Sequence, residues 1–274
     1  MLSYWRRFIQ TWIDYPLRPG TLLASRRYRI ERMLGAGSYG LSYLCTDVRQ
    51  GGPVVVKQAK PSKGRLGKQL LKREAELMGM LEHPAIPKLY GTFSQRKHDF
   101  LVMEYVEGDT VEQLVFDRGA AFSELDSLRI VRRLTDVVLY IHERGIVHLD
   151  LRIPNIIWRG EELKVIDFGL ARRIGDRSGL AGGGMDEEML RRRSPEPRSD
   201  LYALGHVLLY ILYTSYPEPS ADGQTTADDA GWEEELTLAP ATRRLLRKLL
   251  QIEAPYGDGL SLASDLERAI QELE

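Results

Sequence analysis

The chain has 274 residues, 43% of them hydrophobic and 28% charged, with a formal net charge of −1. That length suits one large domain or two small lobes around a sizeable core, and the near-balanced charge leaves no footprint for a nucleic-acid partner. A single cysteine, Cys45, excludes an intrachain disulfide and fits a reducing cytoplasm.

Residues 1–27 stand apart as an extension. Trp5, Phe8, Ile9 and Trp12 recur at helical spacing, Arg6 and Arg7 lie beside them, and Pro16, Pro19 and Gly20 end the pattern. No apolar run of the secretory kind opens the chain. The spacing predicts an amphipathic helix packed on the domain behind it; contact of residues 1–20 with a membrane surface or a partner is the less favoured alternative.

Residues 28–106 read as strands with one helix. Strands are expected at Tyr28–Leu34, Leu41–Thr46, from Val54, and at Lys88–Phe93 and Phe100–Val106, with a helix over Lys68–Leu81 that stops before His83-Pro84. Residues 107–274 read as mainly helical. Helices are expected over Glu124–Arg144 and about 200–213, 238–251 and 261–273, with short strands around 146–168. The uncharged run Leu201–Pro217 reads as a buried helix rather than a membrane span. Gly175–Gly184 reads as a mobile glycine-rich stretch. The fold class is therefore α+β, a strand-rich lobe preceding a helix-rich one, with Glu107-Gly108-Asp109 as the hinge and the cleft between such lobes as the expected ligand site.

Three groups of residues carry chemistry. Leu34-Gly35-Ala36-Gly37-Ser38-Tyr39-Gly40 links two strands rather than a strand and a helix, which suits a hairpin lid whose backbone N–H groups cover phosphates; alone, it reads equally well as a plain glycine turn. Lys57 ends Val54-Val55-Val56-Lys57, and an ammonium on an inner strand needs a counter-charge, which Glu74 on the following helix can supply. His148-Leu149-Asp150-Leu151-Arg152-Ile153-Pro154-Asn155, followed by Asp167-Phe168-Gly169, is the most specific signal. Asp167 and Asn155 offer hard oxygen ligands for magnesium, Asp150 a carboxylate to orient a hydroxyl and take its proton, and Arg152 a fixed cation for a phosphate.

From Tyr28 to Glu272 the chain resembles the protein-kinase superfamily, most of all bacterial serine/threonine kinases. Gly35–Gly40 is similar to the glycine-rich loop, Val55-Val56-Lys57 to the strand carrying the nucleotide lysine, and Glu74 to the glutamate that pairs with it. Phe100–Val106 looks like the hinge strand, and Asp200-Leu201-Tyr202-Ala203-Leu204-Gly205 like the start of a buried helix of that fold. The resemblance implies a two-lobed fold, a lobe of residues 28–106 and a lobe of 107–274. It implies ATP and magnesium as cofactors and a protein carrying a serine or threonine hydroxyl as acceptor. It makes Met103 the gatekeeper, puts the backbone of Glu104 and Val106 on the adenine, and sandwiches the base between Leu34, Val55 and Ile157. Met78, Leu89, His148 and Phe168 would form a spine joining the lobes, or ordinary core.

The chain departs from the pattern at four places. Leu149 stands where most members carry an arginine that reads a phosphorylated loop, so activity switched by that route is not expected. Ser42 replaces a valine over the adenine, at a cost of roughly 1 kcal/mol or less. Ser194-Pro195-Glu196 resembles A-P-E but lies close to Asp200, and Glu253–Gly257 offers no arginine for its glutamate. Arg191-Arg192-Arg193 reads as a solvated surface, or as a dock for an acidic partner. Two other functions stay open: a kinase-fold enzyme acting on a small molecule or specialised partner, and a nucleotide-binding pseudokinase.

Overall fold

Alternation along a strand sends successive side chains to opposite faces, and Pro53–Ala59 puts this to use. Val54, Val56 and Gln58 are buried on one face, while Val55 and Lys57 turn to the other. The computed structural model describes residues 14–160, 162–178, 186–216 and 231–274; the Trp5, Phe8, Ile9 and Trp12 stripe lies outside them, as does most of the glycine-rich stretch.

The backbone divides into two compact units, one running to Glu107 and taking in Asp167–Leu170, the other made of Gly108–Ile166 and Ala171–Glu274. In the first, β1 (Leu22–Leu23), β2 (Tyr28–Ala36), β3 (Gly40–Asp47), β4 (Pro53–Ala59), β5 (Leu89–Gln95) and β6 (His98–Glu104) form an antiparallel sheet in the order β1-β2-β3-β4-β6-β5. One face holds the core: Ile30, Tyr43, Cys45, Val54, Val56, Phe100 and Val102, with Phe93 stacked between Tyr28 and Phe100 at centroid distances of 5.9 and 4.7 Å. Burial pushes the Cys45 thiol up to about 12, which leaves it an inert core residue. Leu17 packs against this cluster, and its N–H reaches the Tyr43 hydroxyl at 3.2 Å.

Helix α1 spans Gly64–Met78, earlier than its composition predicts. The reason lies just ahead of it, in a 3-10 turn over Pro61–Lys63 whose Ser62 gives its N–H and hydroxyl to Asp14 at 2.9 and 2.5 Å. That turn feeds the chain into helix before the run of helix formers begins. The hinge strand also ends sooner than expected, at Glu104 rather than Val106.

The second unit has a small sheet in the order β10-β9-β7, built from β7 (Asp109–Thr110), β9 (Ile156–Arg159) and β10 (Glu162–Val165), and a pair formed by β8 (Ile146–Val147) and β11 (Arg172–Arg173). Helices α2 (Val111–Phe116), α3 (Glu124–Glu143), α4 (Glu187–Arg193), α5 (Pro197–Tyr213), α6 (Trp232–Glu235), α7 (Pro240–Leu249) and α8 (Gly259–Leu273) make up the rest. α3 packs on α5 and α8, and Leu128, Val131, Leu134, Val138 and Ile141 are among its buried residues. Its ends follow local rules: Ser123 accepts from the Asp126 N–H, and Gly145 takes φ +70° after the last turn. α5 is buried along most of its length, and no helix of the described residues is long and apolar enough to cross a membrane.

Candidate active site

In the first unit, β2 and β3 are joined by Gly37-Ser38-Tyr39, with Ala36 opposite Leu41 in register, so the glycines do lie on a hairpin. Leu34 and Gly35 belong to β2, and Gly40 opens β3 next to β4. A Cβ on Gly40 would stand 3.1 Å from the Lys57 Cε, so the bare backbone lets the lysine pass. The Lys57 ammonium then sits 2.7 Å from Glu74 Oε1 on α1 and 2.7 Å from Asp167 Oδ1. Burial alone would lower the lysine's pKa. The two carboxylates more than reverse that, and it ends above its ordinary value. Glu74, at 2% exposure, is pushed up first by burial, against the pull of Lys57.

Asp167 has a left-handed backbone, φ +64°, and its Oδ1 accepts the Gly169 N–H at 3.1 Å. A Cβ on Gly169 would come 3.0 Å from both that oxygen and the Lys57 Nζ and would crowd the ion pair. Phe168 between them is 1% exposed. Val55 lies opposite Met103 on β6, and Met103 is buried. The Glu104 N–H is taken by the Lys88 carbonyl at 2.8 Å, and Val106 follows just past the strand.

In the second unit the catalytic-loop candidates hang from a buried carboxylate. Asp200 on α5, 0% exposed, accepts the His148 N–H and the Leu149 N–H at 2.8 Å each, and its Oδ2 lies 2.9 Å from the His142 ring at the end of α3. Beyond that anchor, the Asn155 amide donates to the Asp150 carbonyl at 2.9 Å and to Asp150 Oδ2 at 3.0 Å. Asn155 sits at the end of a 3-10 turn, Ile153–Asn155, and Ile157 follows on β9, 7% exposed. A Cβ on Gly108, φ +143°, would stand 2.9 Å from Ile157 Cγ2, which leaves only glycine there. Arg152 is exposed.

Residues 28–254 match the family model of the protein kinase domain. The chain belongs to the protein kinase family. It groups with bacterial serine/threonine kinases: it is 37% identical to the "Probable serine/threonine-protein kinase YbdM" of Bacillus subtilis over 94% of each chain. It is 30% identical to the "Serine/threonine-protein kinase B" of Synechocystis, over 86% of this chain and 45% of that longer one. The kinase domain of Mycobacterium tuberculosis PknI superposes with a TM-score of 0.67 over 93% of this chain and 99% of that one; at 22% identity it attests the two-lobed kinase fold alone.

Two features of this unit were not expected. The basic run is not a single solvated face. Arg191 pairs with Glu187 and Arg192 with Glu188 one turn back on α4, whereas Arg193 turns to the catalytic loop, 2.5 Å from the Leu149 carbonyl and 3.5 Å from Asp150 Oδ1. The second is Glu196 of the A-P-E-like triplet, which pairs locally, with Arg198 at 2.6 Å and Arg177 at 3.5 Å, while Arg247 of α7 is taken by Glu233 and Glu253. Asp200 was visible in the sequence through its helix motif. Arg193 gave no signal beyond a charge run, because its nearest partner is a backbone oxygen.

Proposed function

We propose that this kinase transfers the γ-phosphoryl group of ATP, with magnesium, to a serine or threonine hydroxyl of a protein. The observation that carries the reading is the lysine held between two carboxylates: Lys57, Glu74 and Asp167 within 2.7 Å contacts, beside glycines at 40 and 169 that leave room around the ammonium. A lysine fixed in that way presents a permanent cation to the α- and β-phosphates rather than a wandering side chain. Glu104 has its N–H engaged, so its share in adenine binding would fall to its carbonyl, with Val106 beside it and Leu34, Val55, Met103 and Ile157 as apolar contacts.

Asp167 and Asn155 are hard oxygen donors of the kind magnesium takes, and the metal, when bound, neutralises charge on the phosphate oxygens. Asn155 turns its NH₂ to Asp150, which presents the amide oxygen as its remaining ligand atom. Asp150, steadied by that same amide, orients the acceptor hydroxyl and takes its proton as the new O–P bond forms and the bond from the γ-phosphorus to the bridging β-phosphate oxygen breaks, releasing ADP, while Arg152 offsets the charge on the moving phosphoryl group. Neither step needs a covalent enzyme intermediate. The single cysteine suits a cytoplasmic location.

The test is transfer from γ-labelled ATP to a panel of proteins, beside Asp150→Asn and Asp167→Ala. Label on the chain itself or on a panel protein, lost in both variants, is expected. ATP consumed with no protein labelled would move the acceptor to a small molecule, and ATP bound without turnover would make the chain a pseudokinase.

A further inference from the structure

Leu149 lies in an awkward place. Its φ is +62°, a left-handed backbone that a branched side chain adopts only under strain. Such a residue persists only when its surroundings over-determine it. From α5, Asp200 Oδ1 takes its N–H at 2.8 Å. From α4, Arg193 gives a guanidinium N–H to its carbonyl at 2.5 Å. Its peptide groups are thus clamped on both sides, and the next residue in the chain is Asp150.

The helix that brings Arg193 is itself fastened down. Glu188 accepts the Tyr202 hydroxyl at 2.5 Å and the Arg192 Nε at 2.6 Å, and the Arg192 guanidinium meets the His206 ring at 3.1 Å. Tyr202 and His206 belong to α5, as does Asp200. Both clamps on Leu149 are therefore referred to one buried helix.

We propose that Arg193 is a positioning residue for phosphoryl transfer, holding the Leu149 peptide so that the Asp150 carboxylate points at the acceptor hydroxyl. The inference rests on the reading of Asp150 given above. The distances favour positioning over blockade. Arg193 spends its hydrogen bond on the carbonyl and stands 3.5 Å from Asp150 Oδ1, beyond a good hydrogen bond, so that oxygen keeps its acceptor capacity for the substrate. With leucine at 149 in place of the usual arginine, the tie between activation segment and catalytic loop runs in the opposite direction, from the segment to the loop backbone, and needs no phosphate.

The experiment compares Arg193→Ala, Arg193→Lys, Arg191→Ala and Asp150→Asn in the full chain. Arg193→Ala is expected to lower kcat about tenfold to a hundredfold, the scale of a misplaced catalytic group, with the KM for ATP within about twofold and the melting temperature little changed. Arg193→Lys should recover part of the loss, added guanidinium should partly rescue the alanine variant and not Asp150→Asn, and Arg191→Ala should behave as the unaltered chain. Amide hydrogen exchange at Leu149 and Asp150, which needs no substrate, should be about tenfold faster in Arg193→Ala. Unchanged kcat with unchanged exchange overturns the proposal, and so does a rise in kcat, which would make Arg193 a restraint. If Asp150→Asn turns over as fast as the unaltered chain, it is instead the reading of Asp150 that fails.

Discussion

Lys57 has two carboxylates at the same 2.7 Å, yet they are not interchangeable. Glu74 is 2% exposed and Asp167 41%. Removing the charge of Glu74 leaves a buried ammonium with one partner at the solvent side, while a neutral amide remains inside. Glu74→Gln is therefore expected to cost about 2 kcal/mol of folding stability, the scale of a hydrogen bond to a charged group, and to raise the KM for ATP several-fold as Lys57 swings toward Asp167. Urea unfolding and steady-state kinetics check the two parts separately. Equal stability and equal KM would mean that Asp167 alone places the lysine. This pair was legible in the sequence because a lysine among inner-strand valines poses a charge problem that only an acidic neighbour solves. The clamp on Leu149 was not, since one of its ends is a carbonyl and carbonyls leave no mark in a residue pattern.

Elements met their expected types more often than their expected ends. α3 begins and stops where Ser123 and Gly145 say it should. α1 starts early because Asp14, distant in the chain, fastens the turn ahead of it. α4 was readable and passed over: Asp186 caps it by accepting the Met189 N–H at 2.7 Å, glutamates fill its first turn, arginines its last, and Pro195 follows. The short α2 carries a capping box at Thr110 and Gln113 that was equally visible. Gly205 is informative at this scale. It lies where α5 meets α7, and a Cβ there would stand 2.8 Å from the Leu249 Cβ and 3.2 Å from Leu250 Cδ2. The Leu249 Cβ is fixed to the backbone of α7, whose carbonyl carbon at Leu249 stands at 3.2 Å, so it cannot yield without shifting that helix. Gly205→Ala is expected to destabilise the protein by about 1–3 kcal/mol through overpacking, outweighing the gain in helix propensity of roughly 1 kcal/mol. Thermal unfolding reads the sum, and a stabilised variant would show that the two helices part freely.

At the scale of the whole molecule, the question is what sets this kinase to its working state. Two ties hold the catalytic loop, the Asp200 carboxylate and the Arg193 guanidinium, and both are side chains built into the sequence rather than groups added to it. The side chain that would read a phosphate is instead Leu149, buried at 5% exposure. In the second unit the activation segment is fastened by backbone: Ile174 N–H to the carbonyl of Gly145, just past α3, and Gly175 N–H to the Pro195 carbonyl, both 2.8 Å. A phosphate would add its charge to a segment already fastened. Ser178→Glu and Ser194→Glu are therefore expected to leave kcat within about twofold of the unaltered chain, and phosphatase treatment to leave it unchanged. Ser194→Glu should still cost stability, about 1 kcal/mol, because the Ser194 hydroxyl donates to the Leu190 carbonyl at 2.7 Å at the end of α4. The two readouts separate cleanly: a loss of stability without a change in rate is the signature of a segment whose fastening does not depend on a phosphate. A tenfold rise in kcat from either substitution would require another cation to read the new charge, and would remove the argument that Leu149 frees this enzyme from phosphorylation.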